Sequence, residues 1–133
     1  GMIYLLDTSA LLAHYRDEEG APKVQVIFED EDASIAIASI TLTEFSRRMN
    51  ALGASRDDIS AVLDSYCRIF SSVITIDESI ARKAFLLGLE ADSRLPMADA
   101  LIAAAAHSVE AVLVHRDPHF GALPSESIKQ QML

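Results

Sequence analysis

The sequence predicts an α/β domain built on a mainly parallel sheet of four or five strands flanked by helices. Two observations carry that reading. Short apolar runs rich in β-branched residues alternate along the chain with longer segments whose apolar residues recur at helical spacing. One of those helical segments, near the end of the chain, is apolar nearly all round, as a helix covered on several sides must be. Strands and helices in this order argue for parallel strands joined by right-handed crossovers.

Met2–Leu6 (MIYLL) is a continuous apolar run and reads as the first strand, with a helix at Ala10–Tyr15. Asp17–Pro22 carries charges, a glycine and a proline and reads as a loop, and Lys23–Glu29 returns to helical spacing through Val24, Ile27 and Phe28. The acidic run Glu29–Asp32 reads as a solvated helix end. Ser34–Ser39 alternates as a strand should, and Thr41–Leu52 is a helix stopped by Gly53. Asp57–Phe70 spaces Ile59, Val62, Leu63, Tyr66, Ile69 and Phe70 as a helix, after an acidic first turn that suits the helix dipole. Val73–Ile76 is a third strand, and Asp77–Leu89 is an amphipathic helix whose end Gly88 marks. Pro96 opens the helix Met97–His107, apolar apart from Asp99. Ala111–Val114 is a fourth strand, Asp117–Pro124 a turn-rich loop, and Ser127–Leu133 a short last strand or tail.

With 133 residues, half of them hydrophobic, the chain suits one domain, residues 2–133, with Gly1 before Met2 reading as the remnant of a tag. No apolar stretch is long enough to span a membrane, and Met2–Leu6 is too short for a signal peptide, so a soluble, cytoplasmic protein is expected. The single Cys67 cannot form an internal disulfide and is expected in the core. Eleven Lys and Arg against 20 Asp and Glu give a formal charge of −9, the wrong sign for a broad basic surface that grips nucleic acid.

In open parallel sheets, ligands bind beyond the carboxyl ends of the strands. Asp7 follows the first strand, Glu44 falls in the first turn of the helix after the second, Asp117 follows the fourth, and Asp99 opens the alanine-rich helix. Each has an ordinary structural explanation. Asp7 can cap the first helix, Thr41 and Glu44 fit a capping box, Asp99 suits a helix dipole, and Asp117 before Pro118 suits a turn. Those explanations leave Asp99 unsettled, because a carboxylate among alanines loses its hydration and needs a cation. Carboxylates from separate segments suit hard ions such as Mg²⁺ or Mn²⁺. The four histidines give no zinc spacing, since His115 and His119 are separated by Pro118 in a turn, and no phosphate-cradling glycine loop is present.

Four motifs, LLDTSALLA (Leu5–Ala13), ITLTEF (Ile40–Phe45), LPMADALIAAAA (Leu95–Ala106) and LVHRDPHF (Leu113–Phe120), resemble PIN-domain ribonucleases of the VapC toxin type in order and spacing, over almost the whole chain. The resemblance implies a Rossmann-like PIN fold, one or two Mg²⁺ or Mn²⁺ ions, and hydrolysis of RNA phosphodiester bonds. It places Asp7, Glu44, Asp99 and Asp117 as catalytic and metal-binding residues, with Ser9 supporting Asp7. His115 stands where members of the family usually carry Thr or Ser, which leaves the surroundings of Asp117 open. Arg47, Arg48 and Arg116 are candidates for RNA phosphate contact, each also explicable as a surface charge or ion-pair partner. The resemblance further implies a homodimer and a small antitoxin whose basic side chain enters the acidic pocket. A catalytically inactive binding domain is the non-enzymatic alternative. Receiver or phosphatase chemistry at the same sheet edge is disfavoured by the unpaired Asp7 and by Ser9 in place of a second aspartate.

Overall fold

A computed structural model describes residues 1–133. All five strands are parallel: β1 (Ile3–Leu6), β2 (Ser34–Ala38), β3 (Ser72–Ile74), β4 (Val112–His115) and β5 (Lys129–Met132), in the order β3-β2-β1-β4-β5. The tail is therefore a strand, paired in register from Val112 with Lys129 to His115 with Met132.

Side-chain alternation sorts the sheet into two cores. Leu5, Ala36, Ala38 and Leu113 face one helical layer, and Leu6, Ile35, Ile37 and Val114 face the other. The first layer holds α5 (Glu78–Glu90) and α6 (Met97–Ser108), which connect β3 to β4. The second holds α1 (Thr8–Tyr15), α2 (Ala21–Glu29), α3 (Ser39–Ala51) and α4 (Arg56–Cys67). Ala103 to Ala106 are wholly buried, as an all-apolar helix pressed between sheet and α5 requires.

Several boundaries differ from those the sequence suggests. Pro22 lies inside the first turn of α2, where a missing N–H leaves no bond unmade, so the loop ends at Gly20. Helix α5 runs through Gly88 to Glu90, because nothing there requires the left-handed backbone that makes glycine a terminator. Gly53 does end α3: it sits at φ 99° and lets the Ala54 amide reach back to the Met49 carbonyl at 3.0 Å. The turn-rich loop contains a 3₁₀ helix, Pro118–Ala122. Cys67 is exposed at the end of α4 and not in the core. No helix is long and apolar enough to cross a membrane.

The chain builds β1, β2 and β3 outward in one direction, then crosses back to lay β4 on the other side of β1. The loops leaving β1 and β4 therefore diverge and open a crevice at their carboxyl ends. Asp7 and Asp117 stand at the two lips.

Candidate metal centre

Asp7 follows β1 and is 2 % exposed. Its Oδ1 accepts from the Ala10 amide at 2.8 Å, capping α1 as its position suggests, and the Ser9 hydroxyl lies 2.7 and 2.9 Å from its two oxygens. The Ser9 oxygen also accepts from the Arg116 amide at 3.0 Å, which ties the loop after β1 to the loop after β4. These bonds do not compensate for lost hydration. Burial, followed by the nearby charges of Asp117 and Asp99, pushes the Asp7 carboxyl up to about 7.

Asp99 occupies the third position of α6, where the dipole favours an acid, yet its side chain is 14 % exposed. Burial first, then Asp117 and Glu44, push it up to about 7, against the opposing pull of His119. Asp117 caps the 3₁₀ helix by accepting from the His119 amide at 2.9 Å. Its Oδ1 and the Asp99 Oδ2 lie 2.9 and 3.5 Å from the His119 Nδ1.

Glu44 does not form the capping box that Thr41 suggests. Helix α3 begins at Ser39, two residues earlier than the sequence indicates, so Glu44 is in its second turn. It accepts instead from the Thr8 hydroxyl at 2.5 Å, and Thr8 also meets the buried Thr41 at 3.2 Å. The S/T-x-x-E spacing was a coincidence of helix phase.

Thus the four carboxylates come from four separate elements and sense one another's charge: Asp7 feels Asp99 and Asp117, and Asp99 feels Asp117 and Glu44. No lysine or arginine pairs with any of them, because the ion pairs to basic side chains other than histidine are Arg16 with Glu18, Arg82 with Glu78 and Arg116 with Glu18. A hard divalent cation fits such a donor set, since its charge would offset both the lost hydration and the mutual repulsion that raise Asp7 and Asp99. Asp99, Asp117 and His119 present ligand atoms within 4.8 Å of one another.

His119 is the residue that the sequence missed. Its position after Pro118 signals a turn, and only the turn's return toward α6 brings the imidazole to Asp99. His115 lies elsewhere, 2 % exposed, with its Nε2 2.9 Å from the Gln130 Oε1 and its Nδ1 accepting from the Asp117 amide at 3.2 Å. Burial lowers its pKa. It touches Asp117 through the backbone, and the two histidines form no metal-binding pair.

Arg116 pairs with Glu18 at 3.3 Å, the ion-pair alternative that the sequence left open. Arg47 and Arg48 are exposed on α3 and form no ion pair.

No curated protein matches the chain in sequence. Solved structures match its fold. A VapBC2 complex of Rickettsia felis bound to a promoter DNA fragment contains a chain that aligns with a TM-score of 0.78 at 20 % identity, over 99 % of each chain. A DNA-bound VapBC of Salmonella typhimurium aligns at 0.74 and 19 % identity, over 99 % of this chain and 98 % of the other. VapC20 of Mycobacterium tuberculosis, a sarcin-ricin loop cleaving toxin, aligns at 0.69 and 13 % identity over 90 % and 93 %. At these identities the likeness establishes the fold. In sequence, the PIN domain model matches residues 4–125, nearly the whole chain, and the chain belongs to the PIN domain family.

Proposed function

We propose that this protein is a divalent-metal-dependent endoribonuclease and the toxin of a toxin-antitoxin pair. The observation that carries the reading is the crevice between β1 and β4, where Asp99, Asp117 and His119 bring ligand atoms within 4.8 Å of one another, Asp7 feels the charges of Asp99 and Asp117, and Asp99 feels Glu44. The similarity in fold to VapBC toxin chains, one of them an RNA-cleaving toxin, supports the choice of RNA and of an antitoxin partner.

Asp7, Asp99 and Asp117 would hold Mg²⁺ or Mn²⁺, with Glu44 completing the acidic wall. A bound ion of this kind supplies Lewis acidity to a scissile phosphate and a water of lowered pKa. The chain's own part is positional. Ser9 and the Ala10 amide fix the Asp7 oxygens, Thr8 turns Glu44 inward, and the 3₁₀ turn presents Asp117 and His119 opposite Asp99. With Arg116 engaged by Glu18, Arg47 and Arg48 are left as the candidates for phosphate contact near Glu44. With a formal charge of −9, bound metal would lower the repulsion that RNA meets at the crevice.

A homodimer and a basic antitoxin side chain seated among the carboxylates complete the proposal. Cleavage of a mixed RNA pool by the purified protein with Mn²⁺ or Mg²⁺, and in chelator, tests the activity. Metal-stimulated cleavage lost in Asp7→Asn is the expected result. Parental cleavage by that variant, or cleavage undiminished in chelator, would refute it. Sedimentation and growth on expression with and without a neighbouring gene product test the partners, and a strict monomer or harmless expression would count against them.

A further inference from the structure

The buried His115 and the half-buried Gln130 stand outside the set of carboxylates, and the hydrogen bonds of the pair have only one consistent polarity. The Asp117 amide can only donate, so the His115 Nδ1, 3.2 Å away, must be the unprotonated nitrogen. The proton is then on Nε2, and the Gln130 Oε1 at 2.9 Å accepts it. That fixes the orientation of the amide, whose Nε2 donates to the Phe120 carbonyl at 3.1 Å. Phe120 is fully buried, and its ring lies 4.8 Å from the imidazole. The relay thus grips the 3₁₀ turn at two points, the amide of Asp117 and the carbonyl of Phe120, on either side of His119.

We infer that His115 and Gln130 are positioning residues that set the Asp117 turn for metal binding, so that β5 is a working part of the site. Gln130 lies beyond residue 125, where the family's match ends; it is in register with Leu113 of β4, two residues before His115 on the same face, so its side chain reaches diagonally along the strand pair to the imidazole. A Thr or Ser at position 115 could offer an acceptor without reaching β5; the longer imidazole spans the distance and recruits the edge strand. Partners of this kind, one step removed from the ligands, commonly change metal affinity by about 10- to 100-fold. The inference deepens the proposed metal-dependent activity and rests on it only for the metal measurements.

Three measurements on the full chain test it. Nitrogen-15 NMR of the parent protein should find His115 in the Nε2–H tautomer. Hydrogen exchange at the Asp117 amide should be at least about tenfold faster in Gln130→Met, a nearly isosteric change that removes both bonds of the amide. Mn²⁺ titration should show affinity reduced by about tenfold in Gln130→Met and in His115→Leu, with a smaller loss in His115→Asn, whose carbonyl can still accept from the Asp117 amide. An Nδ1–H tautomer overturns the inference, as does unchanged exchange at Asp117 in Gln130→Met. Parental Mn²⁺ affinity in both Gln130→Met and His115→Leu also overturns it. If the parent binds no Mn²⁺, the metal reading fails, while the tautomer and exchange results still decide whether the relay holds the turn.

Discussion

Asp99→Asn tests the electrostatics of the crevice most directly. The Asp99 carboxyl titrates at about 7 in the folded protein against an ordinary 3.8, chiefly because burial strips its hydration and Asp117 stands beside it. The folded state therefore holds this proton more tightly than the unfolded chain does. The resulting destabilisation is absent below about pH 4, grows as pH rises toward 7, and reaches at most about 4 kcal/mol by pH 8 in the metal-free protein. An asparagine removes the charge but gives up the attraction of His119 and leaves an amide to satisfy, so roughly half of that, about 2 kcal/mol, should be recovered. For a chain of this size the variant should melt about 6 °C above the parent at pH 8 in chelator, with the difference vanishing near pH 4. Mn²⁺ at about a hundred times its dissociation constant should stabilise the parent by about 2.7 kcal/mol and the variant hardly at all. Differential scanning fluorimetry across pH, with and without Mn²⁺, alongside cleavage of an RNA pool, measures each part. Equal melting at pH 8 in chelator would refute the desolvation argument. A variant that keeps the parental Mn²⁺ shift and cleavage rate would show that Asp99 is only a helix-start residue.

Metal binding should also release protons: with Asp7 and Asp99 both titrating at about 7, binding at pH 6 should expel about one to two of them, read by calorimetry in buffers of different ionisation enthalpy, whereas none should appear at pH 9. Ser9→Ala removes a donor to Asp7 and the acceptor of the half-buried Arg116 amide, and should destabilise the protein by about 1–3 kcal/mol in urea denaturation, with Mn²⁺ binding weakened because Asp7 loses its second anchor. Arg116→Ala should change stability by less than about 1 kcal/mol and leave RNA affinity nearly intact, because its guanidinium is spent on Glu18 at the surface. Arg47→Ala with Arg48→Ala should weaken RNA binding and flatten its salt dependence, measured by filter binding at several ionic strengths.

The alternation of layers was legible in the chain because burial on a sheet repeats every second residue and burial on a helix about every third or fourth. Leu5 and Leu6 point into opposite cores, and Ala103 to Ala106 are buried on all sides, as a reading of those residues alone requires. The same local logic placed Asp7 and Asp117 at strand ends, and Asp99 in a helix too apolar to leave it hydrated.

Partners distant in sequence were not legible. Whether Glu44 caps its own helix or receives the Thr8 hydroxyl depends on where α3 starts and on how α1 packs beside it. Ser9 reaches Arg116 across 107 positions only because β1 and β4 are neighbours in the sheet. His119 meets Asp99 and Asp117 because a 3₁₀ turn directs it there, and His115 holds the Asp117 amide with one nitrogen because β5 offers Gln130 to the other. Periodicity determines which face of each element is buried. Strand order and turn direction, set by how the whole core closes, decide which polar atoms then find one another.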